Sequence, residues 1–578
     1  MPDIHLLKSH RINIYSVSAT AIILFAISLR VLLVLLKWPP TNSDEATMTL
    51  MASNIAYHGQ FPIMYYGQDY MGVIEAYLGA LFFLLSGGVS LTAIRLGVIL
   101  LVGIFFSVQY FLTSRLFSRT VALATLMFLS IGSIPYLTRQ TIATGGSAET
   151  LLFGSLAFLI ALQLSLSYDP EAPNSVRRRR LLGYAGFGII VGLGIWSDMV
   201  GLPLLAMATL LLITICWREI LVWGGLFTGL IGGTIGITPS LIYAIQTGKN
   251  PIAVLFAMVE PNPNSNNSLN LWHNIVQTFQ VSLPTATGFP FCPVIEYPFL
   301  GDNTARTLKC GIVQSGWSIG YVLLIIVSLS VTIIAFKHFR DNQEITDPVE
   351  RHQTRVLLIT RLFMASTALL ILVAYIISSG PVDQPGYHAR YIISLVVLTS
   401  VLIAPLVQAA SRLRFQANWQ KIRSYGSRAI LVAVVAILAT GTLIAFQEVP
   451  QAQAASESRT DLANHLIQLG ATRIYTDYWT CYSLVLASDE KVLCTVVDAN
   501  REVNHNRVPG IRTPVDQDRF NASWLCASNL KLITLNYNCL PTVENWINSD
   551  ARGRFNRYEF DGYVLYMLKP QYIHKIAS

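Results

Sequence analysis

The sequence predicts a polytopic, all-helical membrane protein of about eleven transmembrane helices, followed by a small extracytoplasmic α/β domain at the C-terminus. Apolar residues make up 53% of the chain and charged residues only 12%, with a mean hydropathy of +0.50. Soluble domains carry about 25% charged residues. The charge is also divided unevenly: residues 1–446 hold 27 basic and 18 acidic side chains (+9), whereas residues 447–578 hold 13 and 14 (−1). This composition excludes a soluble enzyme, a disordered chain and a nucleic-acid-binding module.

Each predicted span is a run of about 20 mostly apolar residues, the length that crosses a bilayer. A twelfth stretch, 71–88, is also apolar, but it contains Glu75 and four glycines. If 71–88 does not cross the membrane, the inner loops hold 18 basic residues and the outer loops hold seven. This distribution agrees with the rule that basic residues are concentrated in the inner loops. We therefore predict a juxtamembrane or re-entrant helix on the outer face at 71–88. The predicted spans are 14–36, 96–112, 120–136, 150–167, 183–197, 201–216, 221–245, 316–336, 356–378, 391–409 and 429–446.

The first apolar run is the first span and not a cleavable signal peptide. It has about 23 residues, longer than a signal-peptide core, and no small-residue cleavage site follows it. The predicted location is the plasma membrane (the bacterial inner membrane), with the N-terminus cytoplasmic. Residues 1–446 then form the membrane domain and 447–578 an extracytoplasmic domain. The outer loops are 38–95, 137–149, 246–315 and 379–390.

The tail 447–578 mixes helical and strand patterns, which is typical of a small α/β domain. Helical patterns occur at 460–470 and 541–549, and strand patterns occur at 472–477, 491–497, 531–535 and around 556–568.

Six of the seven cysteines fall in outer segments, and an even number there suits an oxidising compartment. We predict one bridge between Cys292 and Cys310 in the large loop. Two further bridges are expected within the tail, where three pairings are open. The tail cysteines are Cys481, Cys494, Cys526 and Cys539.

The first outer loop places Asp44 and Glu45 eight and nine residues after the end of the first span. Two acids so close to lipid are costly unless they are hydrated, paired or metal-bound. They also fit a capping role, with Ser43 starting a helix and the acids in its first turn. The same loop contains further candidates for lining a site or binding an acceptor, namely Tyr66, Gln68, Asp69, Tyr70 and Glu75.

Two later outer loops also carry candidate site residues. Residues 137–149 contain Arg139, a Gly145-Gly146 pair and Glu149, and residues 379–390 end with His388 and Arg390 before Tyr391. Arginine suits phosphate because its planar guanidinium can form two parallel hydrogen bonds. The structural alternatives are a helix-start acid for Glu149 and an interfacial snorkelling side chain for Arg390.

The order of these motifs resembles the GT-C membrane glycosyltransferases. The Asp-Glu pair after the first span, YYGQDYMGVIEAYLGA, RLFSRT at 115–120 and the Gly-Gly-x-x-Glu-Thr of the second outer loop carry this resemblance. In particular, the chain is similar to the bacterial protein O-mannosyltransferase-like and aminoarabinose-transferase-like branch. The resemblance covers residues 14–245 by motif and the later spans by topology.

The resemblance implies the GT-C fold and a hexosyl- or pentosyltransferase that uses a polyprenyl-phosphate-linked sugar as donor. It implies that Asp44 is the general base for an acceptor hydroxyl, with Glu45 and Glu149 in the catalytic set. Related transferases often carry a lysine near residues 70–73 that faces the carrier phosphate, but here the stretch reads Gln-Asp-Tyr-Met-Gly from residue 68. The expected phosphate ligands are therefore Arg390, Tyr391, Arg139 and Arg95.

Several points stay open at the level of sequence. The acceptor is a glycan, a lipid-linked glycan or a protein. A divalent cation is neither required nor excluded by the sequence. The lipid bilayer is an expected partner, and nucleic acid is not. A transporter or flippase for lipid-linked sugars is the alternative function, but it predicts charges deep inside several spans. A non-catalytic envelope assembly protein would leave Asp44, Glu45 and Glu149 dispensable. The concentration of acids in outer loops favours the transferase.

Overall fold

The computed structural model describes residues 14–250, 253, 271–292, 307–341, 347–383, 385–411, 418–498, 500, 523–528, 539–560 and 562–573. Long apolar helices form a bundle, and a five-stranded sheet lies at the C-terminal end of the chain. In the described part, ten helical stretches are long and apolar enough to cross a membrane. They are Ile14–Leu35, Leu91–Leu116, Ser147–Leu166, Asn174–Ser197, Met199–Leu221, Gly225–Thr247, Leu308–Asp341, Pro348–Ile377, Pro385–Ala410 and Asn418–Gln468.

In the described residues 14–250, the chain forms ten α-helices. They are α1 (Ile14–Leu35), α2 (Ser43–Tyr57), α3 (Ile74–Ser86), α4 (Leu91–Leu116), α5 (Arg119–Ser130), α6 (Ile134–Thr138), α7 (Ser147–Leu166), α8 (Asn174–Ser197), α9 (Leu202–Leu221) and α10 (Gly225–Thr247). A 3₁₀ turn, Met199–Gly201, joins α8 to α9.

The second half continues the bundle and adds the tail. Its helices are α11 (Leu271–Gln277), α12 (Leu283–Thr287), α13 (Leu308–Asp341), α14 (Pro348–Ile377), α15 (Gly380–Asp383), α16 (Pro385–His388), α17 (Thr399–Ala410), α18 (Asn418–Gln447), α19 (Val449–Gln468), α20 (Tyr478–Ala487), α21 (Leu540–Ser549) and α22 (Pro570–Ile573). A π-helical turn, Thr278–Ser282, links α11 to α12, and a 3₁₀ segment, Ala389–Leu398, links α16 to α17.

Ten of the eleven predicted spans coincide with these long helices, and the remaining one, 120–136, is shorter than predicted. Its helix α5 has 12 residues and ends at Ser130. At this end Arg30 of α1 donates hydrogen bonds to the carbonyls of Leu129 (3.2 Å) and Ser130 (3.0 Å). Backbone groups at membrane depth need protein partners. The buried Arg30 therefore allows the chain to leave the helical conformation inside the bundle.

The apolar stretch 71–88 forms α3, a helix of 13 residues. At 1.5 Å per residue α3 is about 20 Å long. The hydrocarbon core of a bilayer is about 30 Å thick. The length of α3 therefore agrees with the predicted juxtamembrane or re-entrant helix.

The tail contains a mixed five-stranded sheet in the order β2-β1-β3-β5-β4. Strand β1 is parallel to β2 and β3, whereas β5 is antiparallel to β3 and β4. The small α/β domain predicted at the C-terminus is thus present. The predicted strand 531–535 lies outside the described residues, and neither β3 nor α20 was expected. The strands are β1 (Arg473–Thr476), β2 (Leu493–Val496), β3 (Ser523–Ala527), β4 (Phe555–Phe560) and β5 (Tyr563–Leu568).

Three disulfide bonds join the six cysteines of the outer segments. Cys292 pairs with Cys310, as predicted, and the tail contains the bridges Cys481–Cys494 and Cys526–Cys539. The first tail bridge links α20 to β2, and the second links β3 to the residue before α21. The seventh cysteine, Cys216, is a buried free thiol in α9.

The sheet domain packs on the first outer loop of the membrane domain. Helix α20 contacts α2 along its length. Ala46 and Leu50 of α2 share an apolar cluster with Leu462, Tyr478 and Tyr482 of the tail. The residue Glu448 alone separates α18 from α19, so a nearly continuous helical run leads from the bundle into the tail. The expected domain boundary at 446/447 lies in this run.

Candidate functional site

Helix α2 follows α1 after a short connection and contains the two acids of the first outer loop, Asp44 and Glu45. Its cap is Asn42, whose side-chain oxygen accepts a hydrogen bond from the Glu45 amide (2.9 Å). Ser43, the cap suggested by the sequence, instead donates its hydroxyl to the carbonyl of Trp479 (2.7 Å). Asp44 and Glu45 do lie in the first turn, where the positive end of the helix favours carboxylates.

Asp44 is buried, with 6% of its surface exposed. Its Oδ1 atom accepts a hydrogen bond from the hydroxyl of Tyr478 (2.6 Å). Its main-chain carbonyl accepts one from the hydroxyl of Tyr65 (3.0 Å). The structure thus encloses this acid between the first outer loop and the C-terminal domain.

Glu45 forms a fully buried ion pair with Arg95 of α4. The Arg95 Nε atom donates to Oε1 (2.7 Å) and Nη2 donates to Oε2 (2.6 Å). Oε1 also accepts the amide of Ala143 from the second outer loop (3.2 Å). Glu45 therefore ties α2, α4 and that loop together. Arg95, expected among the phosphate ligands, has its guanidinium bound to Glu45 in this structure.

Glu75 and Glu149 meet beneath the second outer loop. The two side chains interact electrostatically, and Glu75 Oε2 accepts the amide of Gly145 (2.8 Å). Burial, together with the neighbouring Glu149, raises the pKa of Glu75 well above its ordinary value of 4.5. Two adjacent carboxylates in a buried site cannot both ionise cheaply. We therefore expect Glu75 to be protonated near neutral pH.

A further acid, Asp198, lies at the junction of α8 and α9 against the glycine pair. Burial raises the pKa of Asp198 to about 6, although the amide of Val200 and the charge of Arg390 oppose this rise. A Cβ atom on Gly146, whose φ is +84°, would lie 2.2 Å from Asp198 Oδ2. The glycine at this position is thus required both by its backbone conformation and by the close approach of Asp198.

Arg390 lies in an aromatic setting and makes no ion pair within the part of the chain that the structure describes. Its guanidinium carbon is 4.2 Å from the ring centre of Tyr387 and 5.0 Å from that of Tyr391. Nη2 donates to the Tyr391 hydroxyl (3.2 Å), whereas the buried Nε–H has no hydrogen-bond partner there. A buried donor without a partner is costly. This geometry favours an anionic ligand at Arg390.

Tyr387 lies near both the acid and the cations of the site. Tyr387 interacts electrostatically with Arg390, Asp44 and Arg139. Arg139 and Arg390 also line one crevice, together with Tyr136. The structure thus brings together the predicted residues Asp44, Arg139 and Arg390, which come from three separate outer loops. Tyr70 also lies within electrostatic reach of Arg390.

The other predicted residues lie around this centre or away from it. His388 Nδ1 is 2.9 Å from the carbonyl oxygen of Gly380, and its ring stacks on Tyr391. Tyr66 accepts a hydrogen bond from the Asn54 side chain (3.4 Å). Gln68 lies in the tight turn that starts at Tyr65.

Asp69 is partly exposed and binds Lys249 and Tyr243 near the end of α10. Burial acts to raise the pKa of Asp69, but hydrogen bonds from Lys249 and Tyr243 outweigh it and lower the pKa. Asp69 thus forms an ion pair with Lys249 and accepts a hydrogen bond from Tyr243.

An apolar cavity of about 500 Å³ lies beside the arginine crevice. Side chains of α5, α13, α17 and α18 line it, and Tyr136 lines both the cavity and the crevice. In the described ranges, no group of three or more His, Cys, Asp or Glu side chains is arranged to hold a metal ion.

Sequence reasoning did not include Tyr387 and Asp198 in the site. Asp198 ends an apolar span, and the rule that singles out acids near lipid applies to it as well. Tyr387 lies in the same short loop as His388 and Arg390, so proximity was its only signal. From the sequence, Tyr478 suits a sugar-stacking surface and the core of the small domain equally well.

No family model and no curated protein matches the chain. Among solved structures, the chain is similar to ArnT from Cupriavidus metallidurans bound to undecaprenyl phosphate, with 13% identity, a TM-score of 0.53 and coverage of 96% of this chain and 97% of that one. The oligosaccharyltransferase AglB from Archaeoglobus fulgidus, in complex with an inhibitory peptide and a dolichol-phosphate, matches with 12% identity, a TM-score of 0.47 and coverage of 96% and 74%. The likeness to ArnT shows that the chain has the GT-C fold over nearly its whole length.

Proposed function

We propose that this multi-pass membrane protein of GT-C fold is a glycosyltransferase that moves a sugar from a polyprenyl-phosphate carrier to an acceptor hydroxyl. One observation carries the proposal: Tyr387 lies within electrostatic reach of Asp44 on one side and of Arg139 and Arg390 on the other. A buried acid and two cations suited to phosphate therefore lie near one tyrosine, and the two cations line one crevice. Transfer from a phosphate-linked sugar to a hydroxyl needs these two kinds of group.

Asp44 is the general base in this proposal. Tyr478 donates to its Oδ1 atom, and Oδ2 is the atom proposed to accept the proton of the acceptor hydroxyl. A carboxylate within hydrogen-bond reach of a hydroxyl raises the reactivity of that hydroxyl. The acceptor oxygen attacks the anomeric carbon as its proton passes to Asp44. The bond between that carbon and the phosphate oxygen breaks, and the lipid phosphate leaves.

Arg390 and Arg139 are the proposed ligands of the leaving phosphate. Fixed cations directed at the position where charge develops stabilise the transition state. The unpaired Nε–H of Arg390 supports this role. Arg95 is less suited, because Glu45 already holds its guanidinium.

The carrier tail is proposed to lie in the apolar cavity next to the arginine crevice. Tyr136 lines both spaces, so a phosphate at the arginines continues directly into an apolar chain in the cavity. In ArnT the bound ligand is undecaprenyl phosphate. The proposed location is the plasma membrane, with the site and the C-terminal domain on its outer face.

The test is sugar transfer from synthetic polyprenyl-phosphate sugars to membrane fractions. We expect Asp44→Asn to reduce the rate of transfer by at least ~100-fold, because the amide cannot accept the hydroxyl proton. Asp461→Asn, which changes an exposed acid in α19, is the matched control and is expected to transfer at the wild-type rate.

Normal transfer by Asp44→Asn would remove Asp44 from the mechanism. If the wild-type protein transferred no carrier-linked sugar, the transferase proposal itself would fail. The transporter hypothesis would then gain weight.

A further inference from the structure

The first turn of α20 closes over Asp44 from the C-terminal domain. Tyr478 is the first residue of this helix and donates to Asp44 Oδ1 at 2.6 Å. Next to it, the carbonyl of Trp479 accepts the hydroxyl of Ser43 at 2.7 Å. Two adjacent residues of the outer loop are thus joined to two adjacent residues of the sheet domain. Tyr478 is 4% exposed and Asp44 is 6% exposed, so water hardly reaches this contact.

Several contacts fix the position of Tyr478 on its own domain. Asp477 caps α20, because its Oδ1 atom accepts the amides of Trp479 (2.8 Å) and Thr480 (3.1 Å). One turn further along, Cys481 bridges α20 to β2 through Cys494. The Tyr478 hydroxyl is therefore presented by a rigid element and not by a loose loop.

The Tyr478 hydroxyl acts as a donor over the whole working range of pH. Burial, followed by the neighbouring charge of Asp44, raises the pKa of Tyr478 well above its ordinary value of 10. The titratable groups that face Asp44 are Tyr478 from α20, Tyr65 from the first outer loop and Tyr387 from the late loop. The adjacent Glu45 is neutralised by Arg95.

We propose that Tyr478 is a positioning residue of the transfer reaction: it holds Oδ1 of Asp44 so that Oδ2 faces the acceptor, and the C-terminal domain thereby completes the site. This inference rests on the proposed function. Apolar packing of α20 on α2 does not require a hydroxyl at this position, since Tyr478 and Tyr482 already pack there as rings. The hydroxyl has a specific partner, and that partner is the proposed base.

The experiment compares Tyr478→Phe with Tyr482→Phe in the full-length protein. Both changes remove one hydroxyl from buried rings of the same helix, but only the first removes the bond to Asp44. We expect Tyr478→Phe to lower kcat about tenfold with little change in KM for the acceptor. The acidic limb of its pH–rate profile should move upward by about one pH unit, because a hydrogen bond to a carboxylate favours the ionised form. Tyr482→Phe should keep the wild-type profile.

A second variant keeps the test informative if Tyr478→Phe folds poorly. Tyr478→3-fluorotyrosine preserves the shape of the ring and makes the phenol a stronger donor. We expect its acidic limb to move in the opposite direction, toward lower pH. Opposite shifts in the two variants would support a positioning role.

Three results would overturn the inference while leaving the proposed function intact, provided that the wild-type protein transfers sugar. They are an unchanged pH–rate profile in both Tyr478 variants, a loss confined to the acceptor KM, and an equal loss in Tyr482→Phe. Absence of transfer by the wild-type protein would instead refute the proposed function.

Discussion

Glu75 and Glu149 form a pair of buried acids that must share protons. Glu75 is 1% exposed and its pKa is raised by burial and by Glu149. A group whose pKa is higher in the folded protein contributes stability at low pH, and this contribution is lost as the pH rises through the folded value. The first outer loop should therefore be held more tightly in mildly acidic solution than in alkaline solution.

We predict that Glu75→Gln removes most of this pH dependence. Glutamine mimics the protonated carboxyl group and can still accept the amide of Gly145. The wild-type protein and the variant should have similar melting temperatures at about pH 5. As the pH rises towards about 8, the melting temperature of the wild-type protein should fall below that of the variant. Thermal unfolding in detergent across this window tests the prediction.

Glu457→Gln, at an exposed position of α19, is the control for this experiment and should follow the wild-type curve. Parallel melting curves for wild type and Glu75→Gln would contradict the protonated state proposed for Glu75.

At the scale of residues, the sequence could identify groups but not their pairing. Asp44, Arg139 and Arg390 stand out because charged groups near lipid are costly and need a purpose. The bond between Asp44 and Tyr478 joins residues 434 positions apart, and no local pattern reports such a distance. The same holds for Glu45 and Arg95, whose ion pair changes the expected role of that arginine.

Helix α20 is the element on which the C-terminal domain contacts the site. Both tail disulfides close loops of the same length, since each joins cysteines 13 residues apart. The chain-entropy model gives similar stabilisation for equal loops, about 3 kcal/mol for some 15 residues. Only Cys481–Cys494 holds α20, so the two bridges should differ in their effect on activity more than in their effect on stability.

We predict that the double variant Cys481→Ser/Cys494→Ser loses much more transfer activity than Cys526→Ser/Cys539→Ser. Initial rates are measured well below both melting temperatures, and thermal unfolding of each variant is followed in parallel. We expect the rates to differ at least fivefold and the melting temperatures to be comparable. If displacement of α20 raises the activation free energy by ~1 kcal/mol, the rate falls by about this factor. Equal rates in the two variants would show that α20 keeps its place without the bridge.

At the scale of elements, the length of the apolar runs predicted most of the long helices, and the strand pattern around 556–568 predicted β4 and β5. Helix α20 was missed because TDYWTCYSLVLA looks like a strand end followed by an aromatic cluster, although Asp477 is a typical helix cap. Strand β3 was also missed, although it is longer than β1 and β2, which the sequence predicted. Helix α5 proved shorter than expected, since its last carbonyls are bound by Arg30 from another helix.

In the whole molecule, the apolar cavity and the arginine crevice are neighbours that share Tyr136 as a lining residue. Gly320 of α13 lines the cavity, and a side chain there would meet open space. We predict that Gly320→Trp raises KM at least about tenfold for a long polyprenyl carrier, since excluding two buried methylene groups costs about 1.6 kcal/mol. A carrier of two isoprene units should be affected little.

Gly426→Trp in α18 is the matched control, because a side chain there also meets open space but does not line the cavity. Transfer assays with carriers of two lengths distinguish the outcomes. An equal effect on long and short carriers would mean that the cavity does not hold the tail.

At the scale of the molecule, composition and charge asymmetry were sufficient to predict a membrane helix bundle with a separate α/β tail. The motif order led to the GT-C fold, which the likeness to ArnT shows. The docking of the sheet domain onto α2 was not predictable, because both surfaces are ordinary mixtures of apolar and polar residues. The surfaces of the sheet domain and of α2 fit each other only in the folded structure.

The contact between Asp44 and Tyr478 also orders events during synthesis. Residue 478 is synthesised 434 residues after residue 44. Until the C-terminal domain has been made and has folded, the acid lacks its tyrosine partner. Contacts so distant in sequence form late, after many local ones. A chain that ends before residue 478 thus lacks the contact that encloses Asp44.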